Sequence, residues 1–409
     1  MTIIILLCFL FLIIYVLLLL YYRQAWKNIP QPLTGAGTIL PDVNALPNHP
    51  LSNSPLSINQ FSTKISVIIP ARNEAGNLYN LLTSLTHQIY PSSLFEVIVV
   101  DDYSTDDTAA IIKNFPVPNI HLLSLKEQLG DEKINSYKKK AIEAGIAASK
   151  GELIVTTDAD CFMGENWLQT IEGFYEKFQP QLIVMPVAID CGNSPIEIFQ
   201  ALDFMSLQGI TGAAVYKKVH SMCNGANLAY SRKAFEKVNG FEGIDAIASG
   251  DDMLLMHKIA LQYPDGIAFL KSKDVIVHTE PMHTVAAFLN QRIRWASKAN
   301  KYDDKRISAV LLVVYLLNLL LLVIPLLCIS INEFSIFNYQ LSIINCWFFL
   351  IAIKTIVELY FLFPVAGFFN KRNLLWHFPL AQPFHILYTV LAGFLGMFGS
   401  YRWKGRKVK

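Results

Sequence analysis

From Ile3 to Leu20 the chain carries no charged side chain, and further apolar stretches follow over Ile307–Ser330, Gln340–Phe363 and about Phe378–Ser400. A bilayer core is crossed by about 20 apolar residues in a helix. Both ends are therefore expected in a membrane, and any soluble fold must lie between Lys64 and Arg306. That stretch, about 240 residues, suits one large α/β domain. The overall mean hydropathy of +0.37 is a local excess from the two ends. It is too apolar for a soluble enzyme, while the middle is too charged for a plain membrane bundle.

The first run lacks a basic leader and is followed by YYRQAWK (Tyr21–Lys27), not by a small-residue cleavage site. It reads as an uncleaved anchor over residues 1–22. Arg23 and Lys27 follow it and no Lys or Arg precedes it. The positive-inside rule then puts the N-terminus outside and the central domain in the cytosol, with Tyr21, Tyr22 and Trp26 in the aromatic belt. Residues 23–64 read as a linker, with six prolines between Pro30 and Pro55, a composition that buries no core. The net charge of +2 by itself points to no partner, but the absence from the soluble part of a basic stripe with interleaved aromatics argues against nucleic acid. The six cysteines show no CxxC pairing. Neither a zinc site nor a disulfide framework is suggested, which fits a reducing compartment.

From Ile65 strand-like and helix-like patterns alternate. Ile65–Pro70, Phe95–Val100, Asn119–Leu125 and Glu152–Thr157 read as strands. Between them, helices are expected over Glu74–His87 with Asn73 as cap, Asp106–Asn114 and Lys138–Ser149. Such a βαβαβαβ order implies a mostly parallel sheet with helices on both faces, whose ligands bind beyond the carboxyl ends of the strands. Further on, Gln181–Ile189, Ala226–Ser231 and Asp274–His278 read as strands, and Pro195–Gln208 and Asp251–Leu261 as helices. Thr284–Ala299 reads as an amphipathic helix leading to the membrane. Loop Ile331–Tyr339 has no Lys or Arg and is expected outside; Asn370–Arg372 is expected inside. A full span over the last apolar stretch would send the basic tail Tyr401–Lys409 outside, against that rule. Pro379 and Pro383 interrupt its start, so a re-entrant or interfacial hairpin is the alternative.

Acidic and basic motifs fall where these elements end. Asp101 and Asp102 follow a buried strand, where a carboxylate can accept from a ribose or base; the DDYSTDD stretch is equally a good turn former. Asp158 and Asp160 flank Ala159 past the fourth strand. Two carboxylates so spaced can face one Mg²⁺, which keeps few protein ligands and takes others from phosphates; two solvated loop acids are the plainer reading. Asp251 and Asp252 precede the apolar run MLLMHKIA. Acids favour helix starts through the macrodipole, but a base could also stand there, within reach of a hydroxyl. Gln291, Arg294 and Trp295 share one helix face at i, i+3 and i+4. They offer a phosphate fork and a stacking surface, or else an interfacial headgroup contact. Lys354 and Glu358 lie one turn apart in an apolar segment; mutual pairing is the simpler reading and lipid headgroup docking the other.

In order, SVIIPARNE (Ser66–Glu74), VVDDYSTDDT (Val99–Thr108), KKKAIEAGI (Lys138–Ile146), TTDADC (Thr156–Cys161) with Trp167–Leu168, NGANLAYSR (Asn224–Arg232), SGDDMLL (Ser249–Leu255), HTEP (His278–Pro281) and QRIRW (Gln291–Trp295) resemble the membrane-bound family 2 glycosyltransferases. That group has the GT-A fold and includes ceramide glucosyltransferases and hyaluronan, cellulose and poly-N-acetylglucosamine synthases. The resemblance implies domains over residues 65–282 (GT-A), 283–306 (interfacial helix), 307–400 (membrane helices) and 401–409 (tail). It implies that Pro70, Ala71 and Glu74 line a nucleotide pocket, that Asp102 meets uridine and that Lys138 approaches the diphosphate. Asp158 would hold ribose or metal, and Asp160 the metal, Mg²⁺ or Mn²⁺. Asp252 would be the catalytic base, beside Asp251 where the family has Glu. Gln291, Arg294 and Trp295 would stand near diphosphate and acceptor. The implied reaction is inverting transfer from a nucleotide sugar, expected to be a UDP-sugar, to a lipid-linked acceptor at the cytosolic leaflet. A small processive polysaccharide synthase is the alternative, since its acceptor is a glycan. A non-catalytic membrane scaffold is a remoter one.

Overall fold

The computed structural model describes residues 2–31, 61–130, 135–220, 222–247, 249–297, 304–330, 337–398, 401–403 and 406–408. The proline-rich stretch over residues 32–60 lies outside the described residues. Helix α1 (Thr2–Asn28) runs on past residue 22, into the expected linker. Tertiary contacts hold that last turn. Trp26 meets Phe269 and Phe368 at ring distances of 6.0 and 5.5 Å, and the buried Lys271 ammonium donates to the Trp26 carbonyl at 2.6 Å.

The alternating half keeps the expected order and adds one helix, α4, where the third strand was expected to end: β1 (Ile65–Ala71), α2 (Leu78–Thr86), β2 (Phe95–Asp101), α3 (Thr108–Lys113), β3 (Ile120–Ser124), α4 (Leu125–Leu129), α5 (Tyr137–Ala148) and β4 (Leu153–Thr156). After it come β5 (Cys161–Met163), α6 (Trp167–Phe178), β6 (Leu182–Val184), β7 (Val187–Ile189), α7 (Pro195–Tyr216), β8 (Leu228–Ser231), α8 (Arg232–Lys237), α9 (Met253–Gln262), β9 (Ile267–Phe269), β10 (Val277–Thr279) and α10 (Val285–Ala296). Seven strands form one sheet in the order β3-β2-β1-β4-β8-β6-β9, and β5-β10-β7 form a smaller one. In the large sheet β8 alone runs antiparallel to its neighbours. Ala71 stands opposite Asp101, and Ile68 opposite Thr156. Thr156 also faces Leu228 on the antiparallel β8. The ends of β1, β2 and β4 and the start of β8 therefore share one edge.

Several boundaries differ from the sequence reading. Asn73 does not cap a helix. It takes φ 52°, and α2 starts at Leu78 behind Asn77. The backbone amides ahead of that helix are taken by the loop after β2. Those of Asn73, Glu74 and Ala75 donate to Ser104, Thr108 and Asp106 at 3.0, 2.8 and 3.1 Å. Gln181–Ile189 is not one strand but β6 and β7, in different sheets. Asn227 holds the break open, its amide donating to Pro186 O and Val275 O at 2.7 Å each. Asp274 belongs to a 3₁₀ turn capped by Ser272, so β10 begins only at Val277. Helix α7 continues past Gln208 to Tyr216 because Gly209 and Gly212 let Val365, Phe361, Trp26 and Phe269 pack directly on it. It is the layer between the sheet and the apolar helices.

Those helices are α11 (Lys305–Ser330), α12 (Phe337–Phe368) and, after a 3₁₀ turn over Arg372–His377, α13 (Phe378–Phe398). Strands β11 (Tyr401–Trp403) and β12 (Arg406–Val408) pair antiparallel behind them. With α1, four described helices are long and apolar enough to cross a membrane. α13 is one continuous helix through Pro383, not a hairpin. Pro379 falls in its first turn, where no intrahelical donor is required. Both ends of this segment rest on the α/β domain. Lys371 donates to Ile189 O at 2.6 Å, while Gly396 leaves room for no Cβ against Ala296, and β11 packs on α10. Lys354 and Glu358 pair at 2.7 Å, both buried. Gln382 and Tyr15 complete their hydrogen bonds at 2.9 and 2.6 Å.

Candidate active site at the carboxyl edge of the sheet

The edge is built from loops that end buried strands. Asp102 is buried; its amide donates to Ala71 O at 2.8 Å, and its carbonyl accepts from Arg72 Nη1 at 2.7 Å. Arg72 also reaches Tyr103 O at 2.8 Å, which fixes the turn at which Tyr103 takes φ 54°. Pro70, Ala71 and Glu74 form the adjacent wall, with Glu74 buried and its carboxylate accepting from Asn77 at 2.8 Å.

The acids meet around one lysine. α5 precedes β4, so its first turn falls at this edge. Lys138 Nζ stands 2.7 Å from Asp158 Oδ1 and 3.2 Å from Asp251 Oδ2. Burial works to depress this ammonium, but Asp158, Asp251 and Asp252 outweigh it and hold Lys138 above the ordinary lysine range. Asp252 Oδ2 accepts from the Gly225 amide at 3.2 Å and Oδ1 from Met253 N at 2.7 Å. Asp251 and Asp252 thus precede α9, and Asp252 caps it. Asp160 lies two residues past Asp158, and the Cys161 thiol donates to its Oδ1 at 3.6 Å. Burial, then Asp160 and Asp158, push that thiol well up, so it is inert as a nucleophile.

Sequence reasoning missed the residues that hold these groups in place. Lys139 is buried, and its ammonium serves the carbonyls of Ile244, Ile247 and Ser249, at 2.9 and 3.0 Å for the first and last. It pins the loop that delivers Asp251 and Asp252. In a run of three lysines nothing in the sequence singles it out. His278 of HTEP turns to Asp190 at 3.0 Å, with its ring stacked on Phe162 at 5.3 Å. Burial would raise Asp190, but His278 and Lys371 hold it below the usual carboxylate range.

Gln291, Arg294 and Trp295 all lie on α10, as expected. Trp295 tilts against Phe204 of α7 at 5.9 Å and packs on the same core as Ala159 and Cys161, the neighbours of Asp160. Arg294 is half-buried. Gln291 Oε1 accepts from Arg292, a residue passed over in the motif, at 2.8 Å. A cleft of about 570 Å³ opens between α2 and β5, lined by Tyr79, Thr83, His87, Phe162 and Glu165. It begins two residues past Asp160, away from the Lys138 cluster.

Among the described residues no group of three His, Cys, Asp or Glu side chains is gathered as a preformed metal site. The candidate donors, Asp158, whose Oδ1 is paired with Lys138, and Asp160 are hard oxygens. They fit a hard divalent cation that completes its shell with phosphate and water, and they do not fit zinc.

Residues 66–238 match the family model Glycosyl transferase family 2, and residues 153–398 match Glycosyl transferase family group 2. The glycosyltransferase AglE of Haloferax volcanii is 39% identical over 105 residues, 26% of this chain and 33% of that protein. The probable glycosyltransferase YdaM of Bacillus subtilis is 25% identical over 250 residues, 58% of this chain and 56% of its own. A dolichyl-phosphate beta-glucosyltransferase of Dictyostelium discoideum is 33% identical over 106 residues, 24% of this chain and 30% of its own. The chain thus spans between about a third and just over half of these relatives. Among solved structures, a mannosyltransferase from Pyrobaculum calidifontis in complex with GDP-Man and Mn²⁺ covers 97% of this chain and 98% of its own, with a TM-score of 0.53 at 17% identity. The two share a fold along nearly their whole length.

Proposed function

The chain belongs to the family 2 glycosyltransferases, and from that premise we propose that it moves one sugar from a UDP-sugar to a lipid-linked acceptor at the cytosolic leaflet, with inversion. The observation that carries this reading is the Lys138 cluster. One ammonium, three carboxylates and the Gly225 amide meet at the sheet edge where α/β folds bind nucleotides.

In the proposed reaction Asp252 takes the proton of the acceptor hydroxyl as its oxygen bonds to the anomeric carbon. The bond from that carbon to the diphosphate oxygen breaks, and the diphosphate leaves with the electron pair. A single displacement inverts the centre. The two amides on Asp252 orient its carboxylate for this step. Lys138 and Arg294 supply positive charge to the leaving diphosphate. Pro70, Ala71, Glu74 and Asp102 bound the nucleotide, with Asp102 toward the base and Asp158 toward the ribose. Asp160, with Asp158, would hold Mg²⁺ or Mn²⁺, which neutralises phosphate charge when bound. Gln291 and Trp295 face the acceptor.

Two features support a lipid acceptor over a growing polymer. Tyr15, Lys354, Glu358 and Gln382 fill the apolar bundle with a closed hydrogen-bonded cluster at that level, where a polymer would need a passage. Next to α10, the outer face of α13 leaves Leu380, Leu387, Leu391 and Phe394 exposed, as a lipid-facing surface does. The name of the Dictyostelium relative, which acts on a dolichyl phosphate, points the same way. The cytosolic assignment is supported by Lys371, which donates to Ile189 O, by Tyr401–Trp403 against α10, and by Arg23 and Lys27 flanking Trp26, whose carbonyl Lys271 holds.

The test uses the purified full chain in lipid nanodiscs with a panel of UDP- and GDP-sugars, Mn²⁺ and a lipid extract. Nucleotide release and mass spectrometry of the lipids are read together. Lipid-dependent release of UDP with a glycosylated lipid supports the reading. No release with any sugar nucleotide sinks it in favour of the scaffold, and release of GDP alone overturns the base.

A further inference from the structure

Arg292 is none of the three motif positions, yet it touches two of them. Its Nη1 donates to Gln291 Oε1 at 2.8 Å, and its guanidinium lies 4.2 Å over the Trp295 ring. On its other edge Nε and Nη2 donate to Asp203 Oδ2 at 3.0 and 2.7 Å, with both side chains only 4% exposed. The second oxygen of Asp203 accepts from the Tyr388 hydroxyl. Asp203 belongs to α7 and Tyr388 to α13, so three helices meet in one buried polar knot. Toward the bundle it continues through His385, edge-on to Tyr388 at 5.4 Å and 3.5 Å from Lys354.

Along α10 only Phe288 and Arg292 are buried. Phe288 packs its ring on Phe199, Phe384 and Tyr388, and the knot adds a buried polar tie beside that apolar contact. A helix of twelve residues does not hold itself in water. A buried ion pair also adds little stability for its desolvation cost, while it does fix geometry when its hydrogen bonds are complete. Here the fork of Arg292 and both oxygens of Asp203 are engaged.

We infer that Asp203, Arg292 and Tyr388 are positioning residues for transfer. They lock α10 against the last apolar helix so that Gln291 and Trp295 are presented to the acceptor. This deepens the glycosyltransferase reading above and rests on it. None of the three touches the nucleotide region around Asp102. Their loss is therefore felt more by the acceptor than by the donor, which meets α10 only through Arg294 at its diphosphate.

The full chain in nanodiscs is compared with Tyr388→Phe, Asp203→Asn and Arg292→Lys. Two readouts are taken: hydrogen exchange over residues 285–296, and the separate KM values of donor and acceptor. Tyr388→Phe, which keeps the ring, is expected to speed exchange in that segment and to raise the acceptor KM about tenfold, with a clearly smaller rise in the donor KM. Asp203→Asn acts in the same direction and further, and Arg292→Lys, which keeps the charge, falls between. Unchanged exchange and acceptor KM in Tyr388→Phe overturn the inference. So does an equal rise of both KM values with a lower Tm, which marks a merely structural role. If Asp203→Asn does not fold, Tyr388→Phe decides. A native chain that transfers no sugar overturns the functional reading alone, since the exchange measurement still decides whether the knot locks α10.

Discussion

The Gly225 amide donates to Asp252 Oδ2 at 3.2 Å, and a methyl group at Gly225 would stand 3.0 Å from Asp251 Oδ2. The same methyl would lie 3.5 Å from both Asp252 Cβ and Lys138 Nζ. The space at this position is set by the acids, not by any left-handed backbone. Gly225→Ala is therefore expected to lower kcat about tenfold or more through misplacement of the base, with a Tm close to that of the parent. Steady-state kinetics and a thermal melt check it; unaltered kcat would show that the acids have slack.

Asp252→Asn keeps the size of the side chain and removes the base. Transfer should fall by about 10² to 10⁴, while donor affinity, read by calorimetry, stays within a few-fold. Wild-type turnover in this variant rules Asp252 out.

Lys139 holds three half-buried carbonyls, those of Ile244, Ile247 and Ser249. Lys139→Met fills the volume and leaves them unserved. A charged hydrogen-bond donor of this kind contributes about 2 to 3 kcal/mol, and a loss of that order is expected in denaturant unfolding. Hydrogen exchange should rise first in the loop before Asp251. Equal exchange there in both proteins would deny Lys139 its anchoring part.

Chelation should abolish transfer, and added Mn²⁺ or Mg²⁺ should restore it. Asp160→Asn should raise the metal concentration for half-maximal activity about tenfold, leaving the Tm without metal unchanged. Full activity in excess chelator would separate this chain from the metal-dependent chemistry that its two carboxylates suggest.

His220 is pushed down to about 4, first by burial and then by the charges of His257 and Arg306. In the unfolded chain the ring takes its proton near pH 6.5. The unfolded state thus gains the proton first, so stability is full above about pH 6.5 and falls as pH drops toward about 4. Melts at successive pH values should show a smaller acid loss for His220→Gln than for the parent. Identical slopes would exclude His220 as a source of acid lability.

Much of the fold was legible in local patterns. The alternation from Ile65 to Thr156 has short range: buried runs such as Val97–Val100 and the leucine face of α2 declare themselves within a few residues. The strand after Gln181 misled because its apolar run hid the breaker Pro186, which stands between the two strands; the side chain of Asn227, over 40 positions later, then takes the Pro186 carbonyl. At the site, Asp102, Asp158, Asp160, Asp251 and Asp252 could be found because each follows or precedes a regular element. Lys139, Gly225 and Arg292 could not. Asp203 left one trace, the one carboxylate beyond the first turn of the long helix α7.

The sequence by itself settled which residues are apolar at what period, and so the two membrane-compatible ends, the parallel α/β middle and the edge where acids collect. Periodicity and strand ends are local properties, and the chain carries them openly. Only the tertiary structure decided that one ammonium gathers Asp158 and Asp251, that both ends of the last apolar segment return to the domain, and that Arg292 points inward to Asp203 and Tyr388. Apart from Lys138 with Asp158, which lie near each other in sequence, those pairings join residues about 90 to 185 positions apart. What selects them is the cost of burying an unpaired charge, and that cost exists only once the helices have packed.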